Sequence, residues 1–174
     1  MKQNVLVLCF LMFGINCFSQ DFTKPQLGVV RVVHDGDSYG IRFLERPDTT
    51  IYIRIHNIDA PEVIFYVTKD QPYSRKSAEN MRAWLKGDTV EVTLSYMDTF
   101  RRLVCDVSKN GIDVAEYAIQ TGNAWYQPDI ATTLEREAKL KQLQEEAKKK
   151  KKGLWGEKGR KYRPDTWRKK YSRR

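Results

Sequence analysis

The chain has 174 residues, 41% of them hydrophobic and 30% charged, with a formal net charge of +9. That length supports one domain rather than two once a leader is set aside, and the composition allows a modest core in a soluble chain. The basic surplus favours polyanionic partners (nucleic acid, anionic lipid or acidic glycan) and by itself does not choose among them.

The chain opens with Lys2, an apolar run over residues 5–15, and Cys17-Phe18-Ser19 ahead of Gln20. This is the pattern of a secretory signal peptide over residues 1–19, and the run falls short of the roughly 20 apolar residues that span a bilayer. A secreted or periplasmic product with no transmembrane segment is the expectation. A lipoprotein signal using Cys17 is the alternative, which Asn16 fits poorly. Two of the three cysteines, Cys9 and Cys17, belong to this leader, so the remaining chain has only Cys105 and no internal disulfide. In its apolar setting, Leu103-Val104-Cys105, that thiol reads as a small buried hydrophobe.

After a short arm over residues 20–26, a domain is expected over 27–156. Residues 27–34, rich in valine, read as a strand that Asp35-Gly36-Asp37 interrupts as a turn. Residues 39–44 and 50–55 read as the second and third strands, joined through Pro47, and Asp59-Ala60-Pro61 then breaks the pattern. Residues 74–86 predict a helix with Ala78, Met81, Trp84 and Leu85 on one face and Gly87 at its end. Strands follow over 89–96 and 103–107, then a short helix over 113–120 closed by Gly122. A longer amphipathic helix over 132–150 has Leu134, Ala138, Leu140 or Lys141, and Leu143 near its buried side and a lysine run at its end. Residues 157–174 read as a basic tail outside the compact fold. The order argues an α+β domain with a five-stranded antiparallel barrel and three helices.

The chemistry gathers at the ends of the first three strands. Two turns bearing Asp37 and Asp59 offer oxygen ligands of the kind a hard cation such as calcium takes. Glu62, three residues beyond Asp59, is placed to act as a general base. Arg54, at the end of the third strand, has the planar fork that grips phosphate. Singly, each of these motifs is more often an ordinary turn than a site; their order and spacing make the case.

The series Val33-His34-Asp35-Gly36-Asp37-Ser38, Arg54 to Ile58 running into Asp59-Ala60-Pro61-Glu62, Asp98 to Arg102, and Gly122-Asn123-Ala124-Trp125 resembles the thermonuclease (staphylococcal nuclease) family. The resemblance implies an OB-type barrel with three α-helices and a calcium-dependent endonuclease with low sequence specificity on DNA and RNA, leaving 3′-phosphate ends. It implies Ca2+ on Asp37, Asp59 and the Ala60 carbonyl, with Asp35 holding metal-bound water. It makes Arg54 and Arg102 the phosphate arginines and Glu62 the general base. His34 and His56 receive no catalytic part.

Ser38 stands where threonine is usual and Ala60 where threonine sometimes occurs, and the more serious departure from the family pattern is Phe100-Arg101-Arg102 in place of the usual Tyr-Gly-Arg. Loss of the glycine threatens the loop's backbone conformation and leaves Arg101 as the alternative to Arg102. Tyr126 is a candidate to stack on a base, and Trp125 reads at least equally well as cover for the barrel. No stable protein partner is implied, and a monomer is expected. The rival readings are a catalytically weak or silent OB-fold nucleic-acid-binding protein and an anionic-surface binder working through the tail.

Overall fold

A computed structural model describes residues 24–63, 67–156 and 162–171. The expected leader and most of the arm lie outside these residues. Strands β1 (Gln26–Val33), β2 (Ser38–Phe43) and β3 (Ile51–Ile55) form a meander. The two-residue β4 (Ile58–Asp59) and helix α1 (Ser74–Leu85) follow. Next come β5 (Thr89–Met97), β6 (Leu103–Lys109), the short β7 (Ile112–Asp113) and α2 (Val114–Gln120). The chain continues through β8 (Trp125–Tyr126), α3 (Leu134–Lys149), a 3-10 turn (Gly153–Trp155) and α4 (Pro164–Tyr171).

Strands β3, β2, β1, β5 and β6 close into a barrel when β3 pairs with β6. Four seams are antiparallel, but this closing one is parallel, with Ile53, Arg54 and Ile55 beside Leu103, Val104 and Cys105. An alternating up-and-down ring closes without a parallel seam only if it has an even number of strands. With five, one seam must join like directions, so the expected antiparallel barrel holds everywhere but there.

Alternation along β1, β2 and β3 sends Val30, Val33, Tyr39, Ile41, Phe43, Ile53 and Ile55 inward. Met81 and Leu85 of α1 and Leu140 of α3 pack against the same core, and buried Cys105 takes the place the sequence predicts for it. The inward face of α3 differs from expectation: Leu140, Gln144 and Ala147 are buried, while Leu134 in its first turn is exposed. A second cluster of Trp125, Ala147, Leu154 and Trp155 seals α3 against the segment after it.

The tail is the larger correction. Residues 164–171 form a helix whose Pro164 and Trp167 are buried. The Trp167 indole N–H donates to the Lys69 carbonyl at 2.8 Å, and the Thr68 N–H donates to the Tyr171 carbonyl at 2.8 Å. Pro164, Trp167 and Tyr171 recur at three-to-four spacing, so this side of the helix docks while Lys169 and Lys170 stay exposed. Among the described residues, no helix is long and apolar enough to cross a membrane.

Candidate active site

The site is built where β1 turns into β2. The Asp35 carboxylate accepts the Asp37 N–H at 3.0 Å, and the Tyr39 hydroxyl donates to the Gly36 carbonyl at 2.8 Å. A Cβ on Gly36 would stand 2.5 Å from Ser77 Oγ and 2.7 Å from the Ala60 Cβ, so only glycine lets this turn seat against α1 and the Asp59-Ala60 segment. Register then sets Ser38 opposite Arg54 on β3. On the far side, β4 pairs with β8, which fixes Asp59 beside Trp125.

Arg54 ties the two turns together. Its Nη1 donates to Asp37 Oδ1 at 2.9 Å and its Nη2 to Asp59 Oδ1 at 2.7 Å. The remaining Asp37 oxygen accepts the Ala60 N–H at 2.6 Å. Burial alone would lower the arginine's pKa, but Asp37 and Asp59 outweigh it and hold the guanidinium charged. Glu62 is set by Gln71, whose side-chain oxygen accepts the Glu62 N–H at 3.1 Å and whose own N–H donates to the Glu62 carbonyl at 2.8 Å.

Four carboxylates, those of Asp35, Asp37, Asp59 and Glu62, are buried together. Burial, reinforced by Asp37, pushes Asp35 well above the usual carboxylate range. Burial also raises Glu62; Arg168 pulls it back and Asp37 adds to the rise. Two guanidiniums, Arg54 and Arg168, offset only half of the charge these four would carry when ionised. A buried group of oxygen donors that would be left with two uncompensated negative charges on full ionisation suits a hard divalent cation. Among the described residues, no three His, Cys, Asp or Glu groups already stand as ligands around one point. The carboxylate oxygens of Asp37 and Asp59 are instead engaged by arginines and a backbone N–H.

A cavity of about 420 Å³ opens over these groups, lined by Asp35, Ser38, Arg54 and Glu62 and rimmed by Phe100, Arg102 and Arg168. A second cavity of about 390 Å³ shares Ser38, Arg54 and Arg102 with it and is walled by His34, Tyr39 and Tyr52. Arg102, not Arg101, faces both. It is held by Asp98, which accepts its N–H at 2.8 Å and its Nε at 2.7 Å. Arg101 adopts φ 60°, a left-handed conformation that glycine takes without penalty.

Tyr126 does not join the site. It is buried in the main core, and its N–H donates to Gln144 Oε1 at 3.0 Å. Two exposed aromatic rings flank Arg54 and Arg102: Phe100, which lies under the Arg102 guanidinium, and Tyr52, whose ring centroid is 5.2 Å from that of His34. Strand alternation makes the outward position of Tyr52 legible, but nothing in the sequence singles it out. His56 is buried, with Nδ1 3.1 Å from Asp106, and takes a packing role.

The match to a family model described as staphylococcal nuclease homologue runs over residues 52–157. The chain belongs to the staphylococcal nuclease family. An "uncharacterized endonuclease" of Escherichia coli O157:H7 is 34% identical over 130 residues, covering 74% of this chain and 76% of the relative. A "probable endonuclease" of Komagataella phaffii is 32% identical, covering 77% of this chain and 71% of the relative. A "probable staphylococcal-like nuclease" of Oryza sativa subsp. japonica is 29% identical over 116 residues, which make up only 28% of that longer protein. The nuclease-family barrel therefore accounts for the fold, and the family match takes in Arg54, Asp59, Glu62 and Arg102 while beginning after Asp35 and Asp37.

Proposed function

We propose that this protein is an exported calcium-dependent endonuclease that hydrolyses phosphodiester bonds of DNA and RNA with little sequence preference, leaving 3′-phosphate ends. The observation that carries the reading is the meeting of Arg54, Arg102 and Glu62 with Asp35 in one cavity above the buried Asp37 and Asp59. Nuclease-family relatives and the basic surface support a polyanionic substrate. Asp37, Asp59 and the Ala60 carbonyl would hold the calcium ion, with Asp35 bonding to water around it. The ion would act as a Lewis acid, offsetting charge on a phosphoryl oxygen.

The chain's own groups divide the remaining work. Arg54, pinned by two carboxylates, binds and orients the phosphate with a guanidinium that cannot lose its proton. The Glu62 carboxylate takes the proton of the attacking water as the new O–P bond forms. Arg102, on the accessible rim, stabilises the 5′ oxygen as its bond to phosphorus breaks. Tyr52, at the neighbouring cavity, gives the adjoining base a ring to stack on.

The test is cleavage of end-labelled single-stranded DNA by the leaderless protein in calcium and then in excess chelator. Products with 3′-phosphate ends in calcium alone are expected. Binding of DNA in calcium without cleavage would overturn the reading in favour of a silent binding module.

A further inference from the structure

The candidate metal carboxylate and the candidate base are both held by a residue from the last helix. Arg168 forks onto Asp59, with Nη1 to Oδ1 at 3.0 Å and Nη2 to Oδ2 at 3.1 Å, and its Nη1 also donates to Glu62 Oε1. Asp59 is only 1% exposed, whereas the Arg168 side chain is 39% exposed. The cation is thus the accessible, displaceable partner of a buried anion.

The helix is anchored on the segment that sets Glu62. Trp167 and Tyr171 close on Lys69 and Thr68, and the Gln71 side-chain N–H donates to the Tyr162 carbonyl at 2.7 Å. Gln71 is the same residue that brackets the Glu62 backbone. A guanidinium tethered in this way is presented at high effective concentration and needs no free ligand to compete.

We propose that α4 is an autoinhibitory latch, in which Arg168 occupies Asp59 and Glu62 as an intramolecular competitor of the divalent cation and of the attacking water. The proposal rests on reading Asp59 as a metal ligand and Glu62 as the base. Asp59 Oδ1 already accepts from both Arg54 and Arg168, and Oδ2 accepts from Arg168, so a calcium ion would compete with the Arg168 guanidinium for this carboxylate. Once displaced, the arginine is still carried by a helix at the cavity rim.

The decisive measurement is calcium binding by calorimetry to the leaderless full chain, compared with Arg168→Gln and with Trp167→Ala. The first variant removes the competing charge and the second loosens its anchor. Both should bind calcium more tightly, Arg168→Gln by about tenfold, in line with loss of a half-exposed charge-assisted fork. Arg168→Lys, which keeps the charge but loses the fork, should fall between.

A merely structural helix would show lowered thermal stability in these variants with calcium affinity unchanged or weaker, and that result overturns the latch. Absence of calcium binding by both wild type and Arg168→Gln also overturns it. Cleavage in calcium by proteins of equal metal affinity would sink the latch and leave the nuclease reading intact. Tighter calcium binding by Arg168→Gln with no cleavage by any of the proteins would do the reverse.

Discussion

Arg54 is where the architecture can be tested hardest, because one side chain both joins the two acidic turns and faces the cavity. Arg54→Met keeps most of the length and apolar stem but leaves Asp37 and Asp59 without their shared counter-charge. Removing one partner of a buried ion pair costs about 3–5 kcal/mol, because the abandoned charge stays buried. Arg54 is 17% exposed, and Arg168 remains on Asp59, which places the expected loss near the lower figure, about 3 kcal/mol. For a chain of this size that corresponds to roughly 6–12 °C in Tm.

The loss belongs to the metal-free protein. Calcium restores positive charge to the same carboxylates, so the Tm gain on adding calcium should be larger in the variant than in wild type. Cleavage in saturating calcium should still fall by at least about 10²-fold, since a metal does not replace a phosphate-gripping fork. Thermal unfolding by circular dichroism, in chelator and in calcium, reads the first two effects. A variant that melts within about 2 °C of wild type in chelator would refute the view that Arg54 neutralises this pair.

Glu62→Gln should lower turnover by about 10²–10⁴-fold with little change in KM, measured by steady-state cleavage of single-stranded DNA. Arg102→Ala should damage cleavage far more than Arg101→Ala, because only Arg102 lines the cavity. Arg101→Gly should instead raise Tm, by roughly 1–4 °C in scanning calorimetry, by relieving a left-handed non-glycine residue. Asp35 has its pKa raised in the fold, so its stabilising contribution is complete below its unfolded value of 3.8 and is lost as pH rises through its folded value. Asp35→Asn should therefore match wild type in Tm near pH 3.5 in chelator and exceed it increasingly at higher pH; a constant gap across that range would contradict this.

The barrel was legible because its strands alternate and its turns carry Asp-Gly and Pro signals, so the expected strands at 27–34, 39–44, 50–55, 89–96 and 103–107 lie within a residue or two of those found. The two-residue strands β4 and β8 were not, since pairing of Asp59 with Trp125 depends on chain segments far apart in sequence. The same distance hid α4. Its basic residues look like a solvated end, and its partners at Thr68 to Gln71 lie more than 90 residues upstream. The acidic turns and Arg54 were readable from spacing and family resemblance alone. The burial of Tyr126 is not legible, because an aromatic after the turn at Gly122-Asn123 looks identical in sequence whether it faces solvent or core. Only the packing of α3, with Gln144 capping its N–H, decides between them.

The parallel seam between β3 and β6 has a consequence for how activity arises during folding. Arg54 lies on one side of that seam and Arg102 directly precedes the other, so the two arginines proposed to hold the phosphate share a cavity only after the ring has closed. The β1–β3 meander can form locally and carries Asp35, Asp37 and Arg54, but joining it to β6 spans about 50 residues of chain and is a late, slow contact in a topology of this kind. Cleavage is then a report on ring closure itself. During refolding, activity should return with the slowest phase of β-sheet formation and lag behind collapse of the core.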